Sequence, residues 1–382
     1  MTAFAAAISE HPITATAVGE VVGHVLEQLG EEPPDLALLF VTAPHGGAIE
    51  DAAAAVRATL APGTLLGCTA ESVLAGHREV EGDAAVALWA GRTGAVTPFH
   101  LELTPTPDGH TLTGWPSAIP DDTRGLLLIP DPFSFPTDGF LERFGEMRPG
   151  LPVVGGMASA ARGPGQNRLV IDERTTDRGA VGALLGPGVD VVTVVSQGCR
   201  PVGRPFVVTS AERNIVHELA GKPALERLQD LARELPVEDR QLLASGLHLG
   251  QVIDESKADF DRGDFLIRNV LGADPDTGAI AVGDVVDVGS TVQFQVRDAL
   301  SADEDLRGLL ADRRADAALL FTCNGRGTRL FGEPHHDADV VATSLEEAPV
   351  AGMFCAGELG PVGGKNFLHG FTASVVLLTR TK

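Results

Sequence analysis

One pattern recurs along the chain and constrains its fold more than any other feature. "DLALLFVTAPHG" (Asp35 to Gly46) matches "ADAALLFTCNGRG" (Ala315 to Gly327), an apolar run ending in a polar, Gly-containing loop. Each is followed by a helical pattern, "GAIEDAAAAVRATL" or "DADVVATSLEEA", and then by a short apolar strand leading into a turn. Those strand-turn stretches are "TLLGCTAESVLAG" and "VAGMFCAGELGPVGG", and both spell Cys-x-x-Glu, at Cys68/Glu71 and Cys355/Glu358. A fainter third copy runs from "GLLLIPDPFSF" through "TDGFLERFGEMR" to "LPVVGGMASA". Strands alternating with helical patterns imply an α/β (α+β) chain. A long unit in so few copies argues for related lobes rather than a solenoid. The expectation is two lobes, 1–200 and 201–382, each a mixed β-sheet with flanking helices, arising from an internal duplication.

Shorter signals fill in the rest. "KPALERLQDLAREL" reads as a helix with Pro223 near its first turn, and "DFLIRNVLG" and "STVQFQVRD" read as strands. Ser301 with Glu304 three residues on forms a capping box that predicts a helix start.

Charge narrows the partners. With 29 Lys plus Arg against 52 Asp plus Glu, a formal charge of −23, the chain repels phosphate backbones and anionic lipid. No nucleic acid and no membrane partner are expected. No apolar run reaches the roughly 18–20 residues of a membrane span, and the N-terminus lacks the basic start of a signal peptide. Four scattered cysteines do not make a disulfide framework. A cytoplasmic protein with reduced thiols is expected.

The chemistry-bearing residues gather near the C-terminus. "CNGRG" and "CAGELGPVGGKNFLHG" leave the ends of strands that the repeat makes neighbours, and polar loops beyond strand ends are where α/β folds bind ligands. The candidate ligand-binding set is Cys323, Asn324, Gly325, Arg326, Cys355, Gly357, Glu358, Asn366 and His369, with Arg268 nearby. Arg326 would meet an anionic group and Glu358 an ammonium; the bland alternative is an Arg326–Glu358 ion pair tying two loops together. Catalysis has no positive signature, although Cys323 or Cys355 as nucleophile with His369 as base would make a thiol-dependent hydrolase or transferase. For metal, "FGEPHHDAD" offers His335, His336 and Asp337, but adjacent histidines diverge, and a polar loop entering a helix explains the stretch better. Neither a metal nor a cofactor is expected.

Several of these motifs, in order, resemble the FIST domain family: "LLGCTAES" and "VVGGMASA" its N-terminal part, and "GCRPVGRPFVVT", "NIVHELAGKPALERL", "FLIRNVLG", "VGSTVQFQVRDA", "GELGP" and "NFLHGFT" its C-terminal part. The N-terminal turn departs from the usual pattern, with Glu71 where Gly is common. The resemblance implies an intracellular sensory or signal-transduction module for a small ligand such as an amino acid, acting as a stand-alone protein through a signalling partner.

Overall fold

Burial of the repeated apolar runs produces three sheets with one strand order. The computed structural model describes residues 3–106 and 109–381. In the first sheet Leu36–Thr42 runs parallel to Thr64–Ala70 and antiparallel to Val86–Gly91. In the second, Gly125–Pro130 runs parallel to Val153–Gly156 and antiparallel to Ala180–Leu185. In the third, Ala317–Cys323 runs parallel to Val350–Cys355 and antiparallel to Thr372–Arg380. The helices expected between the parallel strands form as Ile49–Leu60, Thr137–Met147 and His336–Ser344. The fold is mixed α/β, as the alternation implied.

After its second strand the chain does not stay in its own sheet. Ser72–Ala75 leaves the first sheet and pairs with Val350–Cys355 of the third. Glu358–Val362 leaves the third and pairs with Val153–Gly156 of the second. Leu169–Ile171 leaves the second and pairs with Thr64–Ala70 of the first. This cyclic exchange demands a close backbone approach at one position in each sheet. A Cβ on Gly67, Gly155 or Gly352 would lie 2.1, 2.0 or 1.7 Å from the carbonyl oxygen of Leu39, Leu128 or Leu320, so only glycine fits.

These glycines give a common register in which the sheets can be compared. Leu39 faces Gly67 and Leu320 faces Gly352, which puts Cys68 in the place of Met353 and Ala70 in the place of Cys355. The two Cys-x-x-Glu stretches are therefore offset by two residues, and Glu71 and Glu358 occupy different places in their turns. Cys68 Sγ lies 3.2 Å from Met353 Sδ, and a Cβ on Gly156 would be 2.2 Å from Cys355 Sγ. The three strands converge there inside a core shared by all three sheets, including Phe40, Ile129 and Phe321. The outer faces are covered by helices: Thr14–Leu29 and Ile49–Leu60 on the first, Thr137–Met147 on the second, His336–Ser344 on the third.

By compactness the described residues divide into two units. One holds 3–195, 306–368 and 372–381 and contains these three sheets; the other holds Ser196–Asp305 with His369–Phe371. In the second unit Thr291–Arg297, Phe206–Glu212, Ile215–Leu219, Ile280–Val282, Phe265–Ala273 and Leu247–Val252 pair in turn, and the last pairs with the first, so the sheet closes on itself. Helices Ala224–Glu234 and Val237–Ser245 belong to it, the first preceded by Pro223 as expected. The helix expected to start at Ser301 spans Ala299–Leu310 instead. Its cap is Asp298, whose carboxylate accepts from the N–H groups of Leu300 and Ser301 and from the Ser301 hydroxyl. The capping box reading missed this because Asp298 serves the same orphan donors three residues earlier.

Candidate functional site

The parallel strands Ala317–Cys323 and Val350–Cys355 end in register, Cys323 beside Cys355. Asn324 N–H then donates to Cys355 O (3.0 Å), and Arg326 N–H donates to Cys323 O (2.8 Å), closing a tight turn. That turn sends the Arg326 side chain inward, where it is fully buried. Gly327 has φ +57°, and a Cβ there would sit 2.7 Å from a Glu81 carboxylate oxygen. Glu81 instead accepts from Thr328 N–H and from its hydroxyl, while Arg329 pairs with Glu71 at 2.6 Å. The loop is thus held down by two carboxylates, Glu71 from the turn after Thr64–Ala70 and Glu81 from strand Arg78–Glu81.

Beneath the loop lies a buried charge cluster. Arg326 donates to Asp337 through Nε (2.7 Å) and Nη2 (2.8 Å), a bidentate pair with both side chains inaccessible. Asp337 also accepts from the Thr322 hydroxyl at 2.6 Å. Burial raises the Asp337 carboxyl, but the Arg326 charge and its hydrogen bonds outweigh burial and hold it well below the carboxylate range. The sequence-based alternative of an Arg326–Glu358 pair is not what forms; Asp337, placed by the first turn of helix His336–Ser344, takes the guanidinium.

Glu358 and Glu79 are the other buried acids. Glu358 accepts from the Thr372 hydroxyl (2.8 Å) and N–H (3.2 Å), and Glu79 accepts from Ala338 N–H (2.9 Å). Burial lifts Glu358 to about 8 against those two bonds, the Arg326 charge and the Cys323 thiol. Burial, then the Asp337 charge, lifts Glu79 to about 8 as well. Both are protonated at neutral pH. Four polar atoms in and around this cluster have no partner among the described residues: Arg326 Nη1, Glu358 Oε1, Glu79 Oε2 and Asn324 Oδ1. Native proteins rarely leave such atoms unpaired, because each costs about 1–3 kcal/mol.

The structure brings Cys323, Asn324, Gly325, Arg326, Cys355, Gly357 and Glu358 together at these strand ends. Asn366 lies elsewhere, accepting from Val153 N–H (2.8 Å) and donating to Leu151 O (2.9 Å). His369 is buried and counts with the second unit, as does Arg268, which pairs with Asp284 at 2.7 Å. Cys355 is fully buried and its thiol is pushed well above the usual range, the setting of an inert thiol. Among the described residues no group of three or more His, Cys, Asp or Glu is placed to hold a metal. His335 accepts from Glu79 N–H (3.0 Å) and His336 stacks on Phe331 (3.4 Å). Glu79 and Asp337 as members of the cluster are absent from the sequence-based candidate set for ligand binding. Glu79 is hidden in "HREVEG", an exposed-looking charged stretch, and it is the distant helix His336–Ser344 that meets its strand there.

Three exchanged sheets with a buried acid–guanidinium cluster at two strand ends define an α/β protein with a polar site inside its core. Residues 35–222 match the FIST N domain and residues 224–361 the FIST C domain. The chain belongs to the FIST family, whose domains are generally associated with sensory signal transduction. It is similar to an uncharacterized protein of Mycobacterium tuberculosis (strain ATCC 25618 / H37Rv), with 45% identity over 379 residues, covering 97% of this chain and 98% of that protein. An uncharacterized protein of Mycobacterium bovis (strain ATCC BAA-935 / AF2122/97) is 43% identical over 374 residues, 96% of each.

Proposed function

We propose that the chain is a small-ligand sensor whose ligand carries a cationic and an anionic group, as an amino acid or related metabolite does, and binds at the cluster under the Cys323–Gly327 loop. The observation that carries this is the set of unpaired buried atoms, a donor on Arg326 and acceptors on Glu358, Glu79 and Asn324. The anionic group would take Arg326 Nη1, and the cationic group Glu358 Oε1. Accepting a cation ionises Glu358, so binding releases a proton and strengthens as pH rises toward about 8. Access requires the loop to lift from Glu81 and Glu71, and that movement is the signal a partner protein would read. None of the four cysteines forms a disulfide, and among the described residues no helix is long and apolar enough to cross a membrane. Both facts accord with a cytoplasmic setting.

A thermal-shift screen of amino acids and related metabolites tests the reading. A bound ligand at 100 times its Kd adds about 2.7 kcal/mol to stability, a shift easily seen. A stabilising compound is expected, with its effect lost in Glu358→Ala. A broad library without any shift, or a shift that survives Glu358→Ala, defeats it.

A further inference from the structure

The second unit holds a different group of unpaired buried side chains. Gln295 is inaccessible, and neither its amide oxygen nor its amide nitrogen has a partner among the described residues. Exchanging the two atoms by a flip leaves both unpaired, so the observation does not depend on how the amide is assigned. His248 stands directly across from Gln295 on the neighbouring strand, 3% exposed, with Nδ1 unpaired. Its ring is held by hydrogen bonding with the Gly246 backbone and the Asn269 side chain and is covered by Phe371, 4.3 Å away. Gln197, 2% exposed, donates to Phe265 O at 2.8 Å and leaves its own amide oxygen unpaired.

These groups meet around Gly250 and Phe265. A Cβ on Gly250 would lie 2.6 Å from Gln295 Nε2 and 3.0 Å from Phe265 Cβ. The missing side chain is what lets the Gln295 amide lie across the strand. Burial and the Arg297 charge lower His248 to about 4, so the ring is neutral at physiological pH. The free valences are therefore two carbonyl oxygens, one NH2 and one neutral imidazole nitrogen, with no fixed charge among them. A cation would lose its hydration there and meet the Arg297 charge, and a carboxylate would set its oxygens against those of Gln197 and Gln295. A planar neutral group with two N–H donors and one C=O pairs the Gln197 oxygen and both ends of the Gln295 amide, with the His248 ring beside it.

We infer that Gln197, His248 and Gln295 form a second binding site, for the primary carboxamide of a small molecule. The amide N–H groups of the ligand donate to the carbonyl oxygens of Gln197 and Gln295, and its C=O accepts from Gln295 Nε2. Acetamide, propionamide and nicotinamide are the probes, each run beside its carboxylate in a thermal-shift titration of the full chain. At millimolar amide the midpoint should rise by about 2 °C or more, and the carboxylates should leave it unmoved. Gln295→Met should abolish the amide response and, by removing unpaired buried atoms, raise the midpoint of the unliganded protein. If that variant does not fold, Gly250→Ala, which pushes the Gln295 amide aside, should lose the response in its place. No amide response in the wild type means that the groups hold only buried water, and the inference fails. It fails equally if carboxylates stabilise as well as amides, or if Gln295→Met keeps the response.

Discussion

At Arg326 and Asp337 two full charges sit where no water reaches, and their stability rests on each other. Removing one partner strands the other, so Asp337→Ala should cost about 3–5 kcal/mol in denaturant unfolding. Replacing both, as Arg326→Met with Asp337→Leu, should cost much less, because no unpaired charge remains. A double variant as unstable as Asp337→Ala would mean that the pair does more than neutralise itself. Glu358 and Glu79 give a pH signature. Their folded values near 8 lie above the 4.5 of an exposed glutamate, so their contribution is whole below about pH 4.5 and is lost as pH rises through 8. Stability should fall across that window, and Glu358→Gln should flatten the fall. An unchanged slope would show that Glu358 is already ionised in the folded protein.

The turns and strands are governed by glycine in two opposite ways. Gly67, Gly155 and Gly352 each face a carbonyl that leaves no room for a methyl, so alanine at any of them should cost about 1–3 kcal/mol or more. Gly23, on helix Thr14–Leu29 with nothing within 4 Å, should tolerate alanine and gain up to about 1 kcal/mol. Thermal midpoints of the four variants check both directions. These glycines were legible in the sequence as part of "LLGC", "VVGG" and "VAGM", and the apolar runs announced the strands. The spelling Cys-x-x-Glu misled, because three-residue spacing ignores pairing register, and register alone puts Met353 where the first copy has Cys68. Cys323 through Glu358 could be placed at strand ends, since the repeat makes those ends neighbours. Glu79 and Asp337 could not, because their burial comes from Arg78–Glu81 and His336–Ser344 meeting across some 250 residues of chain.

Across the first unit, the exchange of strands makes each sheet depend on the next. Ser72–Ala75 has its partner in Val350–Cys355, far along the chain, so a fragment ending at Val195 lacks the third sheet's central strands and the second unit. Such a fragment should fail to give a cooperative unfolding transition, although it contains most of the FIST N domain match. A fragment that melts cooperatively would show the first two sheets to be self-sufficient. The same exchange ties the segment after loop Cys323–Gly327 to Glu71, where the chain passes from the first sheet to the third, so ligand entry would be felt in the first sheet. A cationic ligand group seated on Glu358 must ionise it. Calorimetric titration of the most stabilising amino acid, at pH 7 in buffers of different ionisation enthalpy, counts the protons exchanged. Binding should release about one proton per ligand, a release lost in Glu358→Gln; binding with no proton exchanged, or with uptake, would mean that no cation is held by Glu358.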